Sequence, residues 1–140
     1  MKVLVTGGLG FIGSNFILRL LKNHKDIDVI NIDAEFFGSN HKNIQDVKNS
    51  TNYKFIPGNI TDNNIMKKLI SDSDVIVNFA AESFVDRSIS NAEPFLESNI
   101  KGVFTILEII KNQKKKMIHV STDEVYGSLE IGSAIETSRF

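Results

Sequence analysis

Thr122, Asp123 and Glu124 form the densest chemical grouping in this 140-residue chain, a hydroxyl followed by two adjacent carboxyls at the end of an apolar run. A hydroxyl there can hold a sugar hydroxyl while one carboxyl gives a proton and the other takes one from a neighbouring atom. Adjacent carboxylates repel, which favours keeping a proton on one of them for donation. Taken from composition alone, the same triplet is equally consistent with loop acids facing water.

A second grouping lies at the other end of the chain. The apolar run Lys2-Val3-Leu4-Val5-Thr6 enters Gly7-Gly8-Leu9-Gly10-Phe11-Ile12-Gly13 and then a helical pattern. Gly8, Gly10 and Gly13 satisfy G-x-G-x-x-G, and Gly7, Gly10 and Gly13 satisfy G-x-x-G-x-x-G, so the spacing leaves two readings open. Either way, one glycine permits the tight turn, one lets the backbone approach a pyrophosphate, and one lets helix and strand pack closely. The positive end of the following helix would face the phosphates. Asp33 ends the next apolar run, twenty residues after Gly13, near the spacing at which an acid meets the adenosine ribose. Its charge would repel a 2′-phosphate, and Ala34, Glu35, Phe36 and Phe37 supply no arginine, so NAD is expected over NADP.

The elements that must position these residues alternate. Strands are expected at 2–6, 28–32, 53–57, 74–79 and 116–121, and helices at 14–23, 62–71 and 92–112. The strands are short and apolar nearly throughout, as when helices cover both faces. The pattern predicts an α/β doubly wound parallel sheet, a Rossmann fold, in the order 3-2-1-4-5. Asn40 to Asn52 reads as a surface loop or short helix. In such sheets ligands sit outside the carboxyl ends of the strands, where Gly58 to Asp62, Phe79 to Ser83 and Ser121 to Gly127 emerge. Residues 1–140 thus read as one dinucleotide-binding domain, incomplete on its C-terminal side because no helix follows the last strand. The expectation is a fragment or a chain completed by another, with apolar surface left on the sheet and on helix 92–112.

A hydrophobic content of 41%, a charged content of 24% and a net charge of −1 describe an ordinary globular chain with no balance that invites nucleic acid. Lys114-Lys115-Lys116 reads as a solvated connector. The absence of cysteine excludes disulfides and thiolate metal sites, and His24, His41 and His119 show no ligand spacing, so no metal is expected. No apolar run reaches spanning length, and the cytoplasm is the default location.

The segments TGGLGFIGS at 6–14, NFAAESFVDRSI at 78–89, ESNIKG at 97–102 and STDEVYG at 121–127 together resemble the N-terminal part of extended short-chain dehydrogenases. Within them the chain is most similar to the NAD-dependent nucleotide-sugar 4,6-dehydratases of the dTDP-glucose type. The resemblance implies a redox-neutral lyase that oxidises C4 of a hexose, eliminates water across C5 and C6, and returns hydride to C6. It implies Glu124 as the base at C5, Asp123 as the acid at O6 and Thr122 as a contact near O4. It places Gly7, Gly10, Phe11, Ile12, Gly13, Asp33, Asn59, Ile60, Phe79, Ala80, Ala81, Glu82, Ser83, and Ser98 or Asn99 around NAD. Ser83 and Phe84 would join Thr122 at the nucleotide-sugar substrate, and the complete protein would be a homodimer.

Three positions depart from the family. Asn59 stands where the family has Asp, Phe84 stands where it has His, and no Tyr-x-x-x-Lys follows Tyr126. The last departure predicts no measurable dehydratase activity from these residues alone. A 4-epimerase relative and a non-catalytic NAD-binding module remain as alternatives; the Asp123-Glu124 pair favours the dehydratase over the epimerase.

Overall fold

The computed structural model describes residues 1–129 and 131–139; Phe140, at the end of the tail expected to lack a covering helix, lies outside them. Five strands, β1 (Lys2–Thr6), β2 (Asp28–Asp33), β3 (Tyr53–Pro57), β4 (Val75–Asn78) and β5 (Lys116–His119), form one sheet in the order β3-β2-β1-β4-β5. Every neighbouring pair is parallel. The order reverses between β1 and β4, which opens a crevice at the carboxyl ends.

Alternate strand residues feed two cores. Val3, Val5, Val29, Tyr53 and Val77 pack with Ile17 and Leu21 of helix α1 (Phe11–Asn23) on one face. Leu4, Ile30, Ile32 and Ile76 pack on the other with Met66 and Ile70 of α2 (Asn63–Ser71) and with Ile106 and Ile109. This period-two division between two helical layers explains why the strands are apolar on both faces.

Helix α1 begins at Phe11, three residues before the expected start, because Gly10 serves as its N-cap and the Ser14 amide donates to Gly10 O at 3.0 Å. Asp62 caps α2 by accepting from the amides of Asn64 and Ile65. The loop 40–52 contains a 3₁₀ turn, His41–Ile44, whose first amides are met by Asn40. Lys115, expected to be solvated, instead donates to the carbonyls of Ser71 and Ser73 behind α2.

Two differences fall near the site. A short helix, α3 (Val85–Ser90), was not anticipated. The expected helix 92–112 is a composite of α4 (Glu93–Phe95), a π-helical stretch (Leu96–Gly102) and α5 (Val103–Ile110). Leu96, Ile100, Phe104 and Leu107 form an exposed apolar ridge along this rod, and Ile118 of β5 is 56% exposed, as anticipated for the sheet and helix surface.

Candidate functional site

Two clefts meet at the carboxyl ends of the strands. The first has a volume of about 410 Å³ and is walled by the glycine turn, the β2 loop, Gly58 to Ile60, Phe79 to Phe84, and Ser98. The second is lined by His119 to Glu124 with Val85, Ser88, Phe95 and Asn99. They share Ala80 to Ser83 and Val120 to Ser121, so the acid pair lies at the far end of one continuous groove.

The geometry separates the two readings of the glycine motif. Gly7, Gly10 and Gly13 line the first cleft, whereas Gly8 is buried away from it. Gly7 has φ +69°, and a Cβ there would stand 2.6 Å from the Ala80 nitrogen. A Cβ on Gly13 would collide with the Gly7 carbonyl, and one on Gly8 with the Asn31 side chain. At Gly10 a Cβ would meet a single atom, the Gly7 carbonyl oxygen at 3.3 Å, a tight contact, and nothing else within 4 Å. Phe11 and Ile12 are exposed beside it. This cradle, with free amides at a helix start, fits the pyrophosphate of a dinucleotide.

Asp33 is buried at the end of β2 and lines the cleft. Its Oδ2 accepts from the Leu9 amide at 2.9 Å, while Oδ1 accepts from the Glu35 amide at 2.9 Å and the Ser39 hydroxyl at 2.6 Å. These bonds fix the carboxylate and also fold Phe36 to Ser39 into the cleft wall, a contribution the sequence reading missed. Glu35 takes φ +58°, which makes the turn that brings them round.

No arginine follows Asp33, yet folding brings one close. The Arg87 guanidinium stacks 4.2 Å over the Phe37 ring and lies 3.6 Å from the buried Glu82 carboxylate. Phe37 meets Phe84 edge-on at 5.1 Å. Phe84 therefore lines the first cleft with Phe37, not the second cleft beside the acids where a substrate contact was expected.

Asn59 and Ile60 line the first cleft, with Asn59 Oδ1 accepting from the Thr61 amide at 3.0 Å. Ser98 lines it as well, but Asn99 belongs to the second cleft. Asn99 accepts from the Glu82 amide at 2.9 Å and donates to the Glu82 carbonyl at 2.8 Å, so it acts by clamping the Ala80 to Ser83 loop. Thr122, Asp123 and Glu124 open a 3₁₀ turn, Asp123–Tyr126, in which Thr122 Oγ1 accepts from the Glu124 amide at 3.2 Å. Both carboxyl side chains are exposed.

The profile of the GDP-mannose 4,6-dehydratase family matches residues 4–140. The chain belongs to this family. A dTDP-glucose 4,6-dehydratase from Mycobacterium tuberculosis is 43% identical over 94% of this dehydratase-family chain and 39% of its own length. A crystal structure of a dTDP-glucose 4,6-dehydratase from Streptomyces venezuelae with NAD bound superimposes with a TM-score of 0.91 at 41% identity, over 99% of this chain and 44% of that one. A UDP-glucuronic acid 4-epimerase from Bacillus cereus, in complex with UDP-glucuronic acid and NAD, gives 0.87 at 34% identity, over 99% and 45%. This chain thus spans about two fifths of the length of these relatives.

Proposed function

We propose that residues 1–140 form the dinucleotide-binding part of an NAD-dependent nucleotide-sugar 4,6-dehydratase of the dTDP-glucose type. The observation that carries this reading is the continuity of the groove, with a glycine cradle at one end and Thr122, Asp123 and Glu124 at the other. Gly7, Gly10 and Gly13 would admit the pyrophosphate, Asp33 would meet the adenosine ribose, and Ala80 to Ser83 would form the wall between the two ends. Bound NAD would supply the acceptor for hydride from C4 and return it to C6, with the O4 proton taken by a base other than Asp123 and Glu124.

The chain's own residues would then move protons. Once C4 is a ketone, the C5 proton is acidic; Glu124 takes it while Asp123 gives a proton to O6, and water leaves. The Thr122 hydroxyl would hold the sugar near O4. Two relatives with NAD in their structures support the cofactor, and the acid pair favours this reading over the epimerase that the Bacillus cereus likeness also suggests. The ridge of Leu96, Ile100, Phe104 and Leu107 supports homodimer formation.

Calorimetric titration of this chain with NAD, and product analysis after it is joined to the C-terminal part of a dTDP-glucose dehydratase, test the reading. A 4-keto-6-deoxy product is expected from a dTDP-hexose. An inverted C4 hydroxyl would establish the epimerase instead, and no NAD binding would remove both.

A further inference from the structure

Thr6, Asn78 and His119 stand side by side on β1, β4 and β5, Thr6 in register with Asn78 and Asn78 with His119. Residues in one such rung turn their side chains to the same face, and these three are hydrogen-bonded in series. Thr6 and Asn78 are fully buried, so each of their polar atoms needs a partner of the right kind.

The direction of the series is set by Asn78, whose Oδ1 faces Thr6 and whose Nδ2 faces His119. The Ala80 amide can only donate, and it lies 3.4 Å from Thr6 Oγ1. The Thr6 hydroxyl passes its own hydrogen to Asn78 Oδ1. On the other side of the Asn78 amide Nδ2, a donor, lies 2.9 Å from His119 Nδ1. Nδ1 must accept, and the ring hydrogen resides on Nε2.

His119 lines the second cleft together with Ser88, Thr122, Asp123 and Glu124. Ser83 and Ser121 bring further hydroxyls to this cleft, while those of Ser88 and Thr122 are committed nearby. Ser88 donates to Val85 O at 2.6 Å, and Thr122 Oγ1 donates toward Asp123 Oδ1 at 3.5 Å. The carboxylates accept, so an imidazole N–H adds a donor these groups do not offer.

We propose that the Thr6–Asn78 relay fixes His119 as an Nε2–H donor in the second cleft, where it binds an oxygen of the sugar beside the acid pair. The ligand class rests on the nucleotide-sugar reading above; the ring state does not. The series ends at the Ala80 amide, 3.4 Å from Thr6 Oγ1, on the wall shared by the two clefts.

Long-range proton–nitrogen NMR on the 140-residue chain, without ligand, reads the ring directly, and an unprotonated Nδ1 with a protonated Nε2 is expected. Three variants follow in the chain joined to the C-terminal part of a dTDP-glucose dehydratase. His119→Gln places an amide nitrogen where Nε2 stands and should keep KM for a dTDP-hexose within about threefold. His119→Asn and His119→Phe should raise it about tenfold, the scale of one lost hydrogen bond, with NAD affinity unchanged. A ring protonated at Nδ1, or equal KM in all three variants, overturns the assignment. Failure of the unsubstituted chain to bind NAD overturns instead the functional reading, and the ligand-free ring measurement keeps the two failures distinct.

Discussion

The dinucleotide cleft and the acid-pair cleft share a wall but are held in opposite ways. Around the first, the controlling groups are buried and multiply bonded: Asp33 accepts three hydrogen bonds, and Gly7 and Gly13 sit where no side chain fits. Around the second, Thr122, Asp123 and Glu124 are exposed, and one 3₁₀ turn orients them. Holding a flexible pyrophosphate in one conformation favours a rigid, preorganised backbone. Proton transfer to and from a sugar needs carboxyls that reach a ligand, and that geometry tightens only when the ligand arrives. The cradle is therefore complete in its own backbone, whereas the proposed role of the acid pair would need its geometry to tighten around a ligand.

Substitutions can break this contrast, and the largest effect belongs to the acid pair. Glu124→Gln, in a chain extended by the C-terminal part of a relative, should lower elimination by roughly 10²–10⁴-fold with NAD affinity unchanged. Asp123→Asn should slow water loss more than C4 oxidation, read as accumulation of the oxidised intermediate stage in a rapid-quench assay. Wild-type turnover in both variants would sink the dehydratase mechanism. Next comes the cradle, where two glycines should separate stability from binding. Gly7→Ala should lower stability by about 1–3 kcal/mol through its positive φ and the Ala80 contact, visible as a lower Tm. Gly10→Ala should lower Tm less than Gly7→Ala, its Cβ meeting only the Gly7 carbonyl at 3.3 Å, and should weaken NAD in calorimetry. Equal effects of both on Tm would mean that Gly10 is a structural glycine.

A smaller effect concerns the choice of dinucleotide. NAD should bind at least tenfold more tightly than NADP if the buried Asp33 carboxylate, which lines the cleft, meets the ribose as proposed. Arg87 sharpens this test: its charge is engaged by Glu82 and Phe37, so Arg87→Ala should not narrow the preference. A reversed preference, or one that collapses with Arg87, would reassign the discriminating residue.

The weakest effect is alkaline. Burial chiefly raises the Tyr53 phenol above its ordinary value of 10.0; the Asn31 hydrogen bond opposes this, and Asp33 adds to it. The folded state therefore holds this proton more tightly than the unfolded state. Its contribution is full below about pH 10 and is lost as pH climbs through the raised value. Tyr53→Phe should flatten that alkaline fall in Tm while costing about 1 kcal/mol at neutral pH, because Asn31 loses an acceptor.

Strand order, the glycine cradle and the placement of Asp33 were legible because each rests on local pattern: apolar runs, glycine spacing and distance along the chain. What escaped depends on contacts between distant segments. Arg87 of α3 stacks on Phe37, in the loop that Asp33 holds through Glu35 and Ser39, a contact between segments far apart in the chain. The role of Asn99 as a clamp on Glu82, and the departure of Phe84 from the acid pair, arise in the same way. The choice between Gly7 and Gly8 required knowing which glycine faces the crevice and which faces Asn31.

The π-helical stretch gives the rod between β4 and β5 two angular phases. Along a regular α-helix each residue turns about 100°, so one surplus residue in a wide turn resets the facing of everything after it. Within the wide turn, Ser98 and Asn99 look toward the Glu82 loop; after it, Ile106 and Ile109 look into the core. Removing one residue from Leu96–Gly102 would restore a uniform spiral and let only one of those two faces be correct. The chain's length at this point is thus as much a part of the binding groove as any side chain that lines it.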